Sequence, residues 1–276
     1  MPELPEVETT RRGIAPYINQ HKLSRAIIRQ AKLRYPIPVE QVNNLIGQVL
    51  ISIERRAKYL LLTFNTSSLM IHLGMSGSLR IVSTDAEWRK HDHWQLDFGE
   101  ISLRYHDPRR FGFLIVTDDI ANHPLIRKLG PEPLSDAFNC HYLQQQFDQR
   151  KSPIKSSLMH NELVVGIGNI YACESLFLAG IHPLTPCREL TANQICALHG
   201  HIQATLKRAI EEGGSTLRDF VNPDGQPGYF AQTLNVYGRA QQACHRCATP
   251  IENLRIAQRS SYYCPQCQPL NSGKNQ

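Results

Sequence analysis

The sequence predicts an α+β protein of several domains: an N-terminal β-sandwich, then a C-terminal helical domain that ends in a four-cysteine zinc finger. Three observations support this prediction. Eight short β-type segments precede residue 120, helical periodicity follows, and two Cys-x2-Cys pairs stand near the C-terminus. We expect the domains to span residues 1–130, 131–232 and 233–270.

The first predicted domain opens with a helix signal. Pro5 suits a first helical turn, and Glu6 and Glu8 would face the positive end of the helix dipole. Segments rich in Ile, Leu, Val and aromatic residues follow, mostly separated by Gly, Asn or Asp, and short strands at this spacing are typical of a sandwich. The segments are Leu23–Arg29, Val49–Arg56, Tyr59–Phe64, Leu69–Leu73, Ser78–Val82, Trp94–Phe98, Ile101–Tyr105 and Phe113–Val116.

The pattern changes at Gly130–Pro133, where apolar residues begin to recur every three or four positions. This spacing predicts helices, and Gly213–Gly214 is a strong signal for the end of the last one. The predicted helices are His141–Gln149, Ile154–His160, Ile170–Ala179 and Ala192–Glu212.

Composition favours a globular protein outside the membrane. No apolar segment approaches the roughly 20 residues that a membrane span needs, and the acidic start lacks the apolar core of a secretory signal. We therefore expect a cytoplasmic protein whose eight cysteines are thiols or metal ligands rather than disulfides. Four of them show no pairing pattern: Cys140, Cys173, Cys187 and Cys196. The formal net charge of +6 is only a weak indication of nucleic-acid binding.

The two cysteine pairs predict a structural zinc ion. Cys244 and Cys247 form one pair and Cys264 and Cys267 the other, with 16 residues between the pairs. Four thiolates complete a tetrahedral site and leave no open position for catalysis. The intervening segment predicts a β-hairpin, and Arg255 and Arg259 near its tip would either enter a DNA groove or form a solvated basic loop.

The start of the chain offers a nucleophile. A small residue after the initiator Met permits its removal, which would expose the secondary amine of Pro2. An α-amino group titrates at about pH 8, so a useful fraction is neutral and nucleophilic. Glu3 and Glu6 lie close in sequence and would shuttle protons. Taken alone, a Pro-Glu start is more often just the entry to a helix.

Six motifs change that interpretation, because together they resemble the formamidopyrimidine-DNA glycosylase family of bacterial 8-oxoguanine enzymes. They follow the family's order along nearly the whole chain: Pro2–Glu8, Arg56–Leu60, His72–Gly77, Asp107–Gly112, Gly166–Tyr171 and the paired cysteines. The resemblance implies a helix-two-turn-helix domain before the zinc finger. It also implies a bifunctional DNA glycosylase and AP lyase of base excision repair, which forms a Schiff base at Pro2 and then catalyses β- and δ-elimination.

The resemblance further implies roles for individual residues. Pro2 would be the nucleophile and Glu3 the acid that protonates the sugar ring oxygen, while Lys58 and Arg259 would complete the catalytic set through phosphate contacts. Glu6 and Glu174 would be supporting acids. Further residues would contact DNA: His91, Met75, Arg109, Phe111, Lys155, Asn169 and Tyr237.

Three of these residues suit base flipping, since a damaged base must leave the duplex before it is attacked. Met75, Arg109 and Phe111 match the family's void-filling set, and the glycine-flanked turn around Met75 can present an apolar side chain outwards. The segment Thr216–Tyr237 resembles the loop that closes over flipped 8-oxoguanine. We expect a monomer that binds damaged double-stranded DNA in a basic cleft between its lobes.

Two other functions remain open at this point. An endonuclease VIII-like enzyme of the same superfamily would act on oxidised pyrimidines instead. A non-catalytic zinc-dependent DNA-binding protein would keep the finger but would have no need of Pro2.

Overall fold

The computed structural model describes residues 2–214 and 234–270. The chain divides into two compact units, one of Met1–Arg127 with Ile210–Ala231 and the other of Lys128–Ala209 with Gln232–Gln276. No helix within the described residues has both the length and the apolar character needed to cross a bilayer.

The first unit begins with helix α1 (Leu4–Ile18). Glu3 is its N-cap, and the backbone N–H of Glu3 donates to Glu6 Oε2 at 2.8 Å as one half of a capping box. A capping box satisfies backbone donors that a helix N-terminus would otherwise leave unpaired. The helix signal in the sequence marked only this first turn, whereas the helix runs for 15 residues.

Eight strands in the first unit form two four-stranded antiparallel sheets, in the orders β1-β6-β7-β5 and β2-β3-β4-β8. Each predicted β-type segment overlaps one of them. A short helix, α2 (Val39–Asn43), was not predicted. The strands are β1 (Arg25–Ile28), β2 (Ser52–Arg56), β3 (Tyr59–Thr63), β4 (Ser68–His72), β5 (Ser78–Ser83), β6 (Asp92–Phe98), β7 (Ile101–His106) and β8 (Phe113–Thr117).

The two sheets bury one common core, which confirms the predicted sandwich. Leu62 and Ile71 from one sheet belong to the same buried cluster as Trp94 and Leu103 from the other, and Ile14 of α1 joins them. Apolar burial of this kind is the main stabilising contribution to such a core. The turns that carry the candidate residues therefore stand on a rigid support.

The second unit is helical and ends in a hairpin, as predicted. Asn139 caps its first helix by accepting a hydrogen bond from the Tyr142 N–H at 2.9 Å. The elements are α3 (Cys140–Phe147), α4 (Ile154–Leu158), α5 (Asn169–Leu178), a 3-10 turn (Cys187–Glu189), α6 (Ala192–Glu211), β9 (Glu252–Ile256) and β10 (Arg259–Tyr263).

The prediction that no cysteine forms a disulfide is wrong for one pair. Cys140, the first residue of α3, is disulfide-bonded to Cys196 of α6, and their Cα atoms lie 4.9 Å apart. The partners are 56 residues apart in sequence. Only the packing of α3 and α6 brings them together, so no local spacing could have indicated the bond.

Candidate active site

The amino-terminal site consists of Pro2, Glu3 and Glu6, all of them buried at the start of α1. The Glu6 carboxylate accepts the Glu3 N–H, so it fixes the backbone between the predicted nucleophile and the helix. Gly214 lies against the same side chain, and a Cβ at this glycine would stand 3.3 Å from Glu6 Cγ. Glu6 thus acts first as a support for the position of Glu3.

Glu8 connects α1 to the turn that carries Lys58. Burial alone would raise the pKa of Glu8, but hydrogen bonds from Arg11 and Arg12 lower this pKa to about 2. Arg55 Nε lies 3.3 Å from Glu8 Oε2, and Arg55 Nη1 donates to the carbonyl of Ala57 at 2.9 Å. This chain of contacts fixes the β2–β3 turn. No local pattern could indicate the contact between Glu8 and Arg55, because the two residues are 47 positions apart.

The environment of Lys58 includes His72, which lies on β4 opposite Tyr59. Burial, together with the positive charges of Lys58 and Arg34, lowers the pKa of His72 to about 4. His72 is therefore neutral at physiological pH. Its Nδ1 accepts the Gly74 N–H at 2.9 Å, which links the surroundings of Lys58 to the next predicted element of the site.

The structure brings Met75, Arg109 and Phe111 together on two adjoining turns. Met75 is 38% exposed and Phe111 44%, so both apolar side chains are accessible at the surface. The Arg109 guanidinium lies 5.0 Å from the centre of the Phe111 ring, in a cation–π contact. A Cβ at Gly74 would come within 2.4 Å of the Gly112 nitrogen, so the two turns touch directly.

His91 lies in the turn before β6, with a left-handed backbone at φ 91°. Its ring makes an edge contact with His106, with ring centres 5.9 Å apart. Its carbonyl accepts the Asp107 N–H at 3.0 Å, which connects this turn to the one that carries Arg109.

In the second unit, Lys155 and Asn169 form one polar group. Lys155 is buried, and its ammonium donates to Asn169 Oδ1 at the first residue of α5. Asn169 Nδ2 donates to the carbonyl of Ser260 at 2.8 Å, directly beside the exposed Arg259 of the hairpin. Three of the predicted DNA contacts, Lys155, Asn169 and Arg259, are therefore close neighbours, together with the positive end of the α5 dipole.

Glu174 has a structural environment that its sequence position did not reveal. The side chain is buried on α5, and its Oε1 accepts the backbone N–H groups of Val236 and Tyr237, each at 2.9 Å. Its Oε2 accepts the N–H of Asn235 at 2.8 Å and the side-chain amide of the same residue at 2.9 Å. Glu174 therefore anchors the segment that presents Tyr237.

The four paired cysteines converge at the base of the hairpin. Their sulfur atoms all lie within 4.8 Å of one another, and three of the Sγ–Sγ distances are 3.9, 3.5 and 3.5 Å. Thiolates around a tetrahedral zinc ion stand about 3.8 Å apart, given a zinc–sulfur bond of about 2.3 Å. Cys244, Cys247, Cys264 and Cys267 thus fit a structural zinc ion.

Replacing Cys244 with Ala should remove the zinc ion and weaken DNA binding by about tenfold or more, which corresponds to about 1.4 kcal/mol. Three remaining ligands cannot hold the hairpin that carries Arg259. Zinc content by mass spectrometry and a DNA titration test this expectation. Cys187→Ser is the control, since Cys187 is buried away from the cluster beside Ser157 and should leave both values unchanged. Full zinc content and native affinity in the Cys244 variant would refute the assignment.

The predicted loop over the flipped base, Thr216–Tyr237, lies largely outside the described residues, which omit 215–233. Its final residues, Asn235–Tyr237, are described and are bound by Glu174.

Three family models match successive parts of the chain. Residues 1–114 match the formamidopyrimidine-DNA glycosylase N-terminal domain, and residues 129–221 match the H2TH domain of the same enzymes. Residues 241–270 match a zinc finger found in FPG and IleRS. This match and the cysteine cluster confirm the prediction of one structural zinc ion.

Similarity also extends over whole proteins. The formamidopyrimidine-DNA glycosylase from Hydrogenovibrio crunogenus is 52% identical to this chain, and the alignment covers 97% of this chain and 96% of that protein. The one from Acinetobacter baylyi is also 52% identical, with 98% of this chain and 99% of that protein covered. A crystal structure of a Lactococcus lactis FPG mutant with a Fapy-dG containing DNA superimposes with a TM-score of 0.91 at 35% identity. The alignment covers 98% of this chain and 100% of that one.

Proposed function

The chain belongs to the formamidopyrimidine-DNA glycosylase family, and on this basis we propose that it excises 8-oxoguanine and formamidopyrimidines from double-stranded DNA and then cleaves the strand. It is a DNA glycosylase of base excision repair. The observation that carries the proposal is the full-length match to enzymes of this name, which includes the start of the chain at Pro2 and Glu3.

The proposed reaction uses the processed amino terminus. After Met1 is removed, the Pro2 nitrogen attacks C1′ of the damaged nucleotide and the bond from C1′ to the base breaks. Glu3 protonates the sugar ring oxygen as the ring opens, and the product is an iminium ion between Pro2 and C1′. The iminium withdraws electrons from the sugar, so β-elimination releases the 3′ phosphate and δ-elimination releases the 5′ phosphate.

The charged residues of both units serve the phosphate backbone in this proposal. Contacts of this kind supply most of the affinity for DNA and weaken with salt. Lys58 and Arg259 hold phosphates beside the reacting sugar, and Glu6 and Glu174 act as supporting acids that fix the backbone around the site. The other predicted contacts are His91, Lys155, Asn169 and Tyr237.

Met75, Arg109 and Phe111 replace the flipped base within the duplex. Flipping costs a few kcal/mol, and apolar wedges that fill the space offset part of this cost. Arg109 can donate to the exposed edge of a cytosine. The exposure of Met75 and Phe111 on two turns in direct contact supports this role, because it leaves both apolar side chains accessible to a duplex.

In this function residues 1–130 form the catalytic domain, residues 131–232 the helix-two-turn-helix domain and residues 233–270 the zinc finger. We propose that the protein acts as a monomer, and the bacterial origin of the similar glycosylases supports action on chromosomal DNA in the cytoplasm.

The substrate class is tested by comparing duplexes that contain 8-oxoguanine or thymine glycol under single-turnover conditions. We expect excision of 8-oxoguanine to be faster by about tenfold or more, a difference of about 1.4 kcal/mol in activation free energy. Preference for thymine glycol would instead favour an endonuclease VIII-like enzyme. Binding of both duplexes without strand cleavage would indicate a non-catalytic DNA-binding protein.

A further inference from the structure

We propose that Asp107 is a positioning residue that holds together the three turns which carry His91, Met75, and Arg109 with Phe111. The inference rests on the proposed function and deepens it. One buried carboxylate would keep the base-replacing side chains, Met75, Arg109 and Phe111, in their relative positions.

The Asp107 carboxylate is fully buried and accepts four hydrogen bonds. Its Oδ1 accepts from Ser76 Oγ at 2.7 Å and from the Arg109 N–H at 3.2 Å. Its Oδ2 accepts from the Tyr105 hydroxyl at 3.0 Å and from the Gly112 N–H at 2.9 Å. Ser76 directly follows Met75, and Gly112 directly follows Phe111, so the carboxylate bridges the two turns.

The backbone of Asp107 reaches the third turn. Its N–H donates to the carbonyl of His91 at 3.0 Å. Its own carbonyl accepts from His93 Nε2 at 2.7 Å, just after the turn that carries His91. Asp107 is thus bonded to the segments of all three turns that carry His91, Met75, and Arg109 with Phe111.

The packing around Asp107 leaves these turns little freedom to move separately. A Cβ at Gly112 would lie 1.8 Å from the Tyr105 hydroxyl oxygen, and a Cβ at Gly77 would lie 2.5 Å from the same atom. Burial, together with the adjacent Asp107 charge, raises the pKa of Tyr105 well above its ordinary value, so its hydroxyl stays a donor to Asp107. The glycines permit this close approach, and the carboxylate fixes its geometry.

Holding the three turns in place matters because the base-replacing side chains are themselves exposed. Packing restrains Met75 and Phe111 only in part, so their positions also depend on the backbones that Asp107 binds. A displacement of about 1 Å at a reacting geometry can cost about 100-fold in rate. This positioning is needed in duplex DNA, where a partner base is left unpaired, and not in single-stranded DNA.

The test is Asp107→Asn with two single-turnover assays. One measures excision of 8-oxoguanine opposite cytosine in a duplex, and the other measures β-elimination at a preformed abasic site in single-stranded DNA. We expect the duplex rate to fall by about 100-fold and the single-strand rate to stay within about threefold of the native rate.

Asp97→Asn is the matched control. Asp97 is also a buried carboxylate of the same unit and accepts from Gln95 Nε2 at 2.7 Å and Ser102 Oγ at 2.6 Å, but it binds none of the three turns. We expect this variant to keep the native ratio of the two rates. A purely structural role for Asp107 would lower both rates in proportion to the folded fraction, as circular dichroism would show.

Ser76→Ala decides the question if Asp107→Asn does not fold, because it removes one of the four bonds and keeps the carboxylate. We expect it to lower the duplex rate by about tenfold and to leave the single-strand rate unchanged. The inference would be overturned if the ratio of the duplex rate to the single-strand rate stayed native in folded Asp107→Asn or in Ser76→Ala. It would also be overturned if Asp97→Asn changed this ratio as much as Asp107→Asn does. Failure of the proposed function would differ from all of these, since the native protein would then not excise 8-oxoguanine at all.

Discussion

A chain extended by a few residues before Pro2 should lose base excision by a factor on the order of 10³ or more, as is typical when an enzymatic nucleophile is removed. The extension converts the Pro2 nitrogen into an amide, which has no available lone pair and cannot form an iminium ion. The capping-box bond from the Glu3 N–H to Glu6 does not involve this nitrogen, so α1 should stay folded. Single-turnover excision from an 8-oxoguanine duplex measures the loss.

The control for this change is Pro2→Ala with a processed terminus. This variant exposes a primary amine in place of the secondary one and should retain measurable excision, because a primary amine also forms a Schiff base. Both proteins should bind an undamaged duplex equally. If the extended chain excised 8-oxoguanine at the native rate, the proposed nucleophile would be wrong.

Glu174→Ala should destabilise the second unit by about 3–5 kcal/mol, since it leaves at least three backbone donors without their acceptor. The carboxylate binds the consecutive N–H groups of Asn235, Val236 and Tyr237 in a buried site. Urea unfolding measures the loss. DNA affinity should also fall under conditions in which the variant is still folded, because Tyr237 loses its support.

Glu189→Ala serves as the comparison, because Glu189 is an exposed acid of the same unit. Substitutions at such surface positions usually change stability by no more than about 0.5 kcal/mol. Native stability in Glu174→Ala, combined with loss of catalysis, would show that Glu174 acts directly on the reaction and not as an anchor.

Local patterns predicted most of the fold. The β-type segments are short, rich in Ile, Leu, Val and aromatic residues and mostly bounded by turn residues, and each overlaps a strand because this local pattern is typical of strands. The cysteine pairs predicted the zinc site for a similar reason, since each pair is a tight local turn. Helix α2 escaped prediction because Val39–Asn43 is too short for a period to emerge.

Features that depend on distant partners could not be predicted in this way. The bond between Cys140 and Cys196 needs two helices to meet. The anchoring role of Glu174 and the central position of Asp107 depend on hydrogen bonds to segments up to 63 and 31 residues away, respectively. The resemblance marked Glu174 as a supporting acid and Asp107 as the first residue of a motif, but no local pattern indicated which segments they bind.

The positions of some candidate site residues could be predicted from the sequence, and those of others could not. The neighbourhood of Lys155, Asn169 and Arg259 became apparent only from the contacts of α4, α5 and the hairpin. The outward direction of Met75, in contrast, could be predicted from its glycine-flanked turn, because a turn beyond the end of a strand can present an apolar side chain outwards.

Borohydride trapping on an 8-oxoguanine duplex, followed by intact-mass measurement and mapping of the modified peptide, tests the proposed chemistry most directly. We predict a polypeptide that has lost Met1 and carries one reduced sugar adduct on Pro2. An adduct mapped to a lysine side chain, or full activity in a population that retains Met1, would contradict the assignment of Pro2 as the nucleophile.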